Sequence, residues 1–293
     1  MIRCAILLAT AAFAQQLPLQ LTRVEITPPR ANWELGMISS SSADGNGTIY
    51  LLQRGLSVQP VVAINEKGKV LREWGKGLYQ IPHSIRIDPA GNIWTVDSAS
   101  SRILKYTPQG KILLDFSVGE QPKSKSQFNG AADIAFTPDG HLFIADGYGN
   151  ARILEYDAQG KRLRQWGMPG HGPGQLNLPH GIAIDAAETV YVADRENGRI
   201  QRFSRTGKYL GEINGHGKTF SLAIQDGALW IGTQPPNEPN GAPGWIKKLH
   251  PATGQLLGTI DSPGHHSIHV TPAGEVLTGV RPDQLLWFRK LPR

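Results

Sequence analysis

Cysteine is almost missing from this chain: one residue in 293, Cys4, close to the N-terminus. A lone thiol excludes an intramolecular disulfide, and any metal must then be held by His, Asp or Glu. Long hydrophobic runs are missing as well. The apolar run at residues 5–13 is too short to span a bilayer, which takes about 20 residues, and no other stretch comes closer. Also absent is a basic stripe interleaved with aromatics. The net charge of +6 is scattered, with KGK (67–69) and GKRLR (160–164) at apparent turns. That pattern describes a solvated surface, not a nucleic-acid face.

The first residues, MIRCAILLATAAFAQQ, combine a basic Arg3, the short apolar run and an A-F-A ending at Ala14. This is the pattern of a cleaved secretory signal, with the mature chain starting at Gln15. Cys4 precedes the apolar run, so it is not a lipoprotein cysteine. The expectation is a signal peptide at 1–14, a single domain at 15–293, and a secreted or periplasmic protein. Its mature form would carry no cysteine, which suits a bacterial exterior.

What the chain does have is 34 glycines and 21 prolines, set between short apolar runs. Many turns between short strands point to an all-β protein. A unit recurs: HSIRIDPAGNIWTVD (83–97), ADIAFTPDGHLFIAD (132–146), HGIAIDAAETVYVAD (180–194), FSLAIQDGALWIGT (220–233) and HSIHVTPAGEVLTGV (266–280). A looser copy, ISSSSADGNGTIYLLQ (38–53), precedes them. Each unit continues into a third strand, such as RILKYT (102–107) or RILEYD (152–157), and often a fourth, such as GKYLGEI (207–213). Four short antiparallel strands every 40 to 50 residues mark a propeller blade. Period-2 alternation broken by Gly or Pro excludes a helical alternative. The expected fold is a six-bladed β-propeller. The last unit ends one strand short at QLLWFRK (284–290), and LQLTRVEI (19–26) can supply its fourth strand, closing the ring.

The innermost strand of a blade lines the central channel. Around the ring its first residue is Ser39 or a neighbour, His83, Ala132, His180, Phe220 and His266. Histidines therefore recur in alternate blades, about 120° apart, and would converge on one point. Three neutral imidazoles with an open fourth position are a ligand set of catalytic zinc. A lone histidine here would be read as a strand cap; alternation in three blades favours the metal. His265 rivals His266, but the H-S-I register shared with His83 selects His266. His269, three residues further along, is expected to point away from the channel. Asp97, Asp146 and Asp194 end second strands and are expected to cap loops.

The ordered set QRGL (53–56), IPHSIRIDPAGNIWTVD (81–97), IADGYGNARILEY (144–156), LPHGIAID (178–185), VADRENGRIQRF (192–203) and the histidine motif at 264–268 resembles the peptidyl-α-hydroxyglycine α-amidating lyase family. That family consists of NHL-repeat propellers. The resemblance implies cleavage of the N–C bond of a C-terminal α-hydroxyglycine, giving an amide and glyoxylate. It implies His83, His180 and His266 as zinc ligands, and places Arg54, Tyr148 and Arg195 on positions implicated in the active site. Zinc would act as a Lewis acid on the hydroxyl oxygen. Arg54 has the planar fork suited to a carboxylate. Tyr148 is the candidate base, an assignment that needs a nearby cation because a free phenol ionises near pH 10.

The plainer alternatives are a solvated turn for Arg54, a packed loop tyrosine for Tyr148 and an ion pair for Arg195. The family's structural calcium is held partly by an Asp after the third histidine. Ser267 stands there instead, which makes a calcium ion doubtful. Disulfide cysteines of the animal members are absent, with Gly149 directly after Tyr148. No hydroxylating monooxygenase domain fits within this length, so a separate protein would supply the substrate. The chain is expected to act as a monomer. Competing functions are a calcium-dependent lactonase or esterase in the same channel, and a non-catalytic scaffold. The QPPNEPNGAPGW segment (234–245) is either a lid, a contact loop or a decorated outer hairpin.

Overall fold

The computed structural model describes residues 15–122, 127–280 and 283–291; the expected signal peptide at 1–14 lies outside them. Six four-stranded antiparallel sheets form the blades of a propeller, numbered 1 to 6 in the chain order of their innermost strands, Met37–Ala43, Pro82–Ile87, Asp133–Phe136, Pro179–Ile184, Lys218–Gln225 and Ile268–Val270. One two-stranded parallel pair, Met168–Pro169 with Gln175–Leu176, lies beside them in sequence. No helix among the described residues is long and apolar enough to cross a membrane.

The hairpins form for local reasons. In blade 2 the Asp88 carboxylate accepts the main-chain N–H groups of Ala90 and Asn92, and Gly91 adopts φ +82°. Asp157 and Gly160 repeat this arrangement in blade 3. A short acceptor side chain opens the turn, and a residue free to take positive φ completes it.

Second strands such as Ile93–Asp97 and Leu142–Asp146 are buried throughout, whereas the outer strand Arg162–Trp166 is largely exposed. The core lies between blades. Trp94, Val96 and Ile103 of blade 2 pack on Ile134, Leu142 and Ile144 of blade 3. Each blade alone would leave a hydrophobic face in water, so stability comes from stacking neighbours around the ring.

The ring closes as the sequence predicts. Leu19–Val24 pairs antiparallel with Gln284–Lys290, from Leu19 opposite Lys290 to Val24 opposite Leu285. The N-terminal strand thereby becomes the outer strand of blade 6 and covers its edge.

One irregularity recurs and positions the site. In blades 1, 2, 4 and 5 the innermost strand carries a bulge near its start, between Ile38 and Ser40, Pro82 and Ser84, Pro179 and Ile182, and Thr219 and Ser221. The extra residues include Ser39, His83, His180 and Phe220. A bulge re-aims its side chain, here toward the channel mouth. Blade 6 differs: its innermost strand is Ile268–Val270, and His266 stands in a bend just ahead of it.

Candidate metal centre and substrate pocket

His83, His180 and His266 meet at the channel, each offering a ring nitrogen, with the three atoms within 4.8 Å of one another. Their partners follow one rule. Nδ1 of His83 lies 2.7 Å from the carbonyl oxygen of Ala132, Nδ1 of His180 2.7 Å from that of Phe220, and Nδ1 of His266 3.3 Å from that of Ser39. Each acceptor is the equivalent residue of the next blade. A carbonyl can only accept, so each Nδ1 carries the proton and each Nε2 presents a lone pair. Such outer contacts fix the tautomer and aim of a metal-binding imidazole. Burial holds His83 and His180 well below the ordinary histidine range, with nearby positive charge adding to the effect. Burial also lowers His266, to about 3. All three are therefore neutral at pH 7.

The Tyr148 hydroxyl lies 3.0 Å from Nε2 of both His83 and His180. It has one proton, and the three Nε2 atoms are all acceptors. Such an electron-rich donor set fits a metal cation well.

Local sequence explains how Tyr148 arrives there. It sits between Gly147 and Gly149, where a Cβ would collide with the carbonyl oxygens of Pro179 and Asn129 respectively. Its ring stacks on Phe128 at 4.9 Å. Arg54 donates through Nε to the carbonyl oxygen of Pro82 at 2.7 Å and lies 5.4 Å from the Phe128 ring. Arg195 donates through Nε to Glu196 at 2.9 Å, and its guanidinium faces the rings of Phe220 and Tyr148 at 5.0 and 5.8 Å. The ion pair expected as an alternative for Arg195 thus exists alongside its place in the site.

Arg54, Tyr148, Arg195 and His266 all line one pocket of about 630 Å³, with Phe128 and Phe220 among its apolar walls. The aspartates at strand ends do cap loops, and with a consequence for the site. Asp97 accepts the N–H groups of Gln80 and Ile81 at 2.6 and 2.7 Å, and Asp194 accepts that of Asn177 at 2.6 Å. They tie down the segments that lead into His83 and His180.

Three features escaped the sequence. Phe128 comes from a loop between blades, outside any repeat. His265 is buried against Phe220, 5.0 Å between ring centres, and donates from Nε2 to Gln234. Its ring is pushed down to about 4 by burial. Beneath the histidines, Arg86 donates to Asp133 at 2.7 Å, and Ser84 donates to the same carboxylate at 2.5 Å. Ile268 and Val270 enter the core between blades 5 and 6, so the alternating His269 faces Ser42 of blade 1 at 3.3 Å. It lines, with Arg86, a cavity at the turns around 43–46 and 88–91.

A calcium ion does not fit below the histidines. Ser267 bonds Ser40 at 2.8 Å and lies 3.5 Å from Arg86 Nη1, and the nearby carboxylate of Asp133 is already paired. A guanidinium occupies the place where a divalent cation would need oxygen ligands. Calcium chelation is therefore expected to leave the melting temperature unchanged. Arg86→Met is expected to destabilise by about 3–5 kcal/mol, because it strands a buried carboxylate. Adding Asp133→Asn should recover most of the loss, as checked by denaturant unfolding.

Fold and site together define a six-bladed propeller with a three-histidine, metal-compatible centre at one mouth of its channel. Residues 176–203 match the family described as NHL repeat. Peptidyl-glycine alpha-amidating monooxygenase of Mus musculus is 38% identical over 157 residues, covering 50% of this chain and 16% of that protein. A probable peptidyl-alpha-hydroxyglycine alpha-amidating lyase of Caenorhabditis elegans is 30% identical over 198 residues, covering 58% of this chain and 56% of that protein. The chain thus spans less than two thirds of either relative's length. A streptogramin B lyase structure superposes with a TM-score of 0.65 at 15% identity, covering 92% of this chain and 97% of that one. That likeness shows the fold alone. The sequence relatives bear out the resemblance to the amidating lyases.

Proposed function

We propose that this protein is a zinc-dependent lyase that cleaves the N–C bond of an N-acyl- or peptidyl-α-hydroxyglycine to an amide and glyoxylate. The observation that carries this is the convergence of three histidine ring nitrogens within 4.8 Å, two of them 3.0 Å from the Tyr148 hydroxyl, in a pocket with an arginine on either side.

His83, His180 and His266 would hold zinc through Nε2, where it supplies a Lewis acid for the substrate's hydroxyl. Arg54 grips the substrate carboxylate. Arg195, oriented by Glu196, lies beside the Tyr148 ring and favours negative charge on that oxygen. Tyr148 Oη, starting as the phenolate that a cation held by the histidines and the Arg195 guanidinium would favour, takes the hydroxyl proton. The oxygen's electron pair forms the aldehyde of glyoxylate as the C–N bond breaks, and Tyr148 returns the proton to the departing amide nitrogen. One proton moves from oxygen to nitrogen, and no water is consumed. Phe128 and Phe220 give the site apolar walls, which lower the local dielectric and strengthen each of these electrostatic contacts.

A separate hydroxylating monooxygenase would supply the substrate. A lactonase would use oxygen-ligated calcium, against which the imidazole cluster and Arg86 both argue. Metal-loaded protein given N-benzoyl-α-hydroxyglycine should release glyoxylate faster than the spontaneous reaction and leave sugar lactones untouched. Lactone hydrolysis without glyoxylate would reverse the assignment.

A further inference from the structure

The charged groups of the pocket are unevenly distributed. Arg54 comes from blade 1 and Arg195 from blade 4, with Tyr148 on the blade 3 side between them. Blades 5 and 6 close the other side. Among the described residues, that side is lined by Asn240, Gly241, Pro263, Gly264, Gly279 and Val280, with no Asp, Glu, Lys or Arg. A substrate anchored by its carboxylate at the arginines would send its nitrogen side across this uncharged wall.

Asn240 and Gly241 belong to the 234–245 insertion, whose conformation is fixed. Prolines at 235, 236, 239 and 243 restrict its φ angles. Gln234, fully buried at the end of the strand Ala228–Gln234, holds the loop from inside. Its Nε2 donates to the carbonyl oxygens of Glu238 and Pro239 at 3.0 and 2.9 Å. Its Oε1 accepts the Gly241 N–H at 2.9 Å and the His265 Nε2–H at 3.2 Å. Both amide hydrogens are spent on carbonyls, so the side-chain oxygen must be the acceptor and the imidazole the donor. His265 adjoins His266. One buried amide therefore ties the loop to the segment carrying the third histidine. The loop is a rigid wall, neither a mobile lid nor an outer decoration.

We infer that this wall is the subsite for the substrate's nitrogen-side chain, that Asn240 contacts the first peptide group beyond the scissile bond, and that Gln234 and His265 are positioning residues for it. Glycines at 241, 264 and 279 leave main-chain groups unshielded along the wall. It suits an uncharged, extended peptide or acylamino segment. A bare acetyl group is too short to reach it. This subsite rests on the lyase reading above.

The test compares N-acetyl-α-hydroxyglycine with an uncharged tripeptidyl-α-hydroxyglycine in wild type, Asn240→Ala and Gln234→Ala. For the tripeptidyl substrate both variants should raise KM about tenfold, the loss of one well-formed hydrogen bond, with kcat nearly constant. Asn240→Ala should turn over the acetyl substrate as wild type does, and Gln234→Ala, which also frees His265 beside the third histidine, is read by the ratio of its KM values for the two substrates. Asn240 is exposed, so its variant remains informative should Gln234→Ala fail to fold. Variants indistinguishable from wild type on both substrates, or equally impaired on both, would overturn the subsite and leave the lyase reading intact. No glyoxylate from either substrate with folded, metal-loaded wild type would overturn the lyase reading and this subsite with it.

Discussion

His180→Ala is expected to yield a folded protein that binds no metal and releases no glyoxylate above the spontaneous rate. The effect should be large because His180 contributes twice. Its Nε2 is one of three converging donors, and its Nδ1 donates to Phe220 across the blade boundary. Losing an outer-shell partner alone costs about 10- to 100-fold in metal affinity or activity; losing the ligand itself should exceed that range. Folding should survive, since the substitution strands one carbonyl at a cost of about 1–3 kcal/mol. His171→Ala is the control: His171 is exposed and its ring bonds Asn197 at 2.7 Å, away from the three histidines. A non-catalytic scaffold predicts that both variants behave alike.

Tyr148→Phe is expected to lower kcat by about 10²- to 10⁴-fold, the usual contribution of a positioned general base, while retaining metal. KM should change little, because the carboxylate contact falls to Arg54 and the ring still stacks on Phe128. Removing the hydroxyl takes away the proton carrier and nothing of the scaffold. Unchanged kcat in this variant would reduce Tyr148 to a packed loop residue. Metal content measured on the same sample separates loss of chemistry from loss of the centre.

The fold was legible because a propeller is written locally. Period-2 strands, acceptor–glycine turns and a repeat of 40 to 50 residues set each blade. His83 and His180 were legible for the same reason: both follow a proline at the start of an innermost strand. His266 needed the H-S-I register, and the structure places it in a bend where the others sit in bulges. The contacts that surround the histidines were not legible, because they join distant blades. Arg86 lies 181 residues from Ser267 and 47 from Asp133. On its own strand it is one more polar residue in an alternating pattern. Gln234 likewise reads as the end of a strand, and only the ring brings it to His265.

The most direct measurement is product analysis with metal-loaded protein and N-benzoyl-α-hydroxyglycine, before and after a zinc chelator. Benzamide and glyoxylate are expected in equal amounts, with one bound zinc per chain and loss of turnover on chelation that recovers on adding zinc. Folded protein carrying zinc yet giving neither product, or giving benzoate in place of benzamide, would contradict the lyase reading.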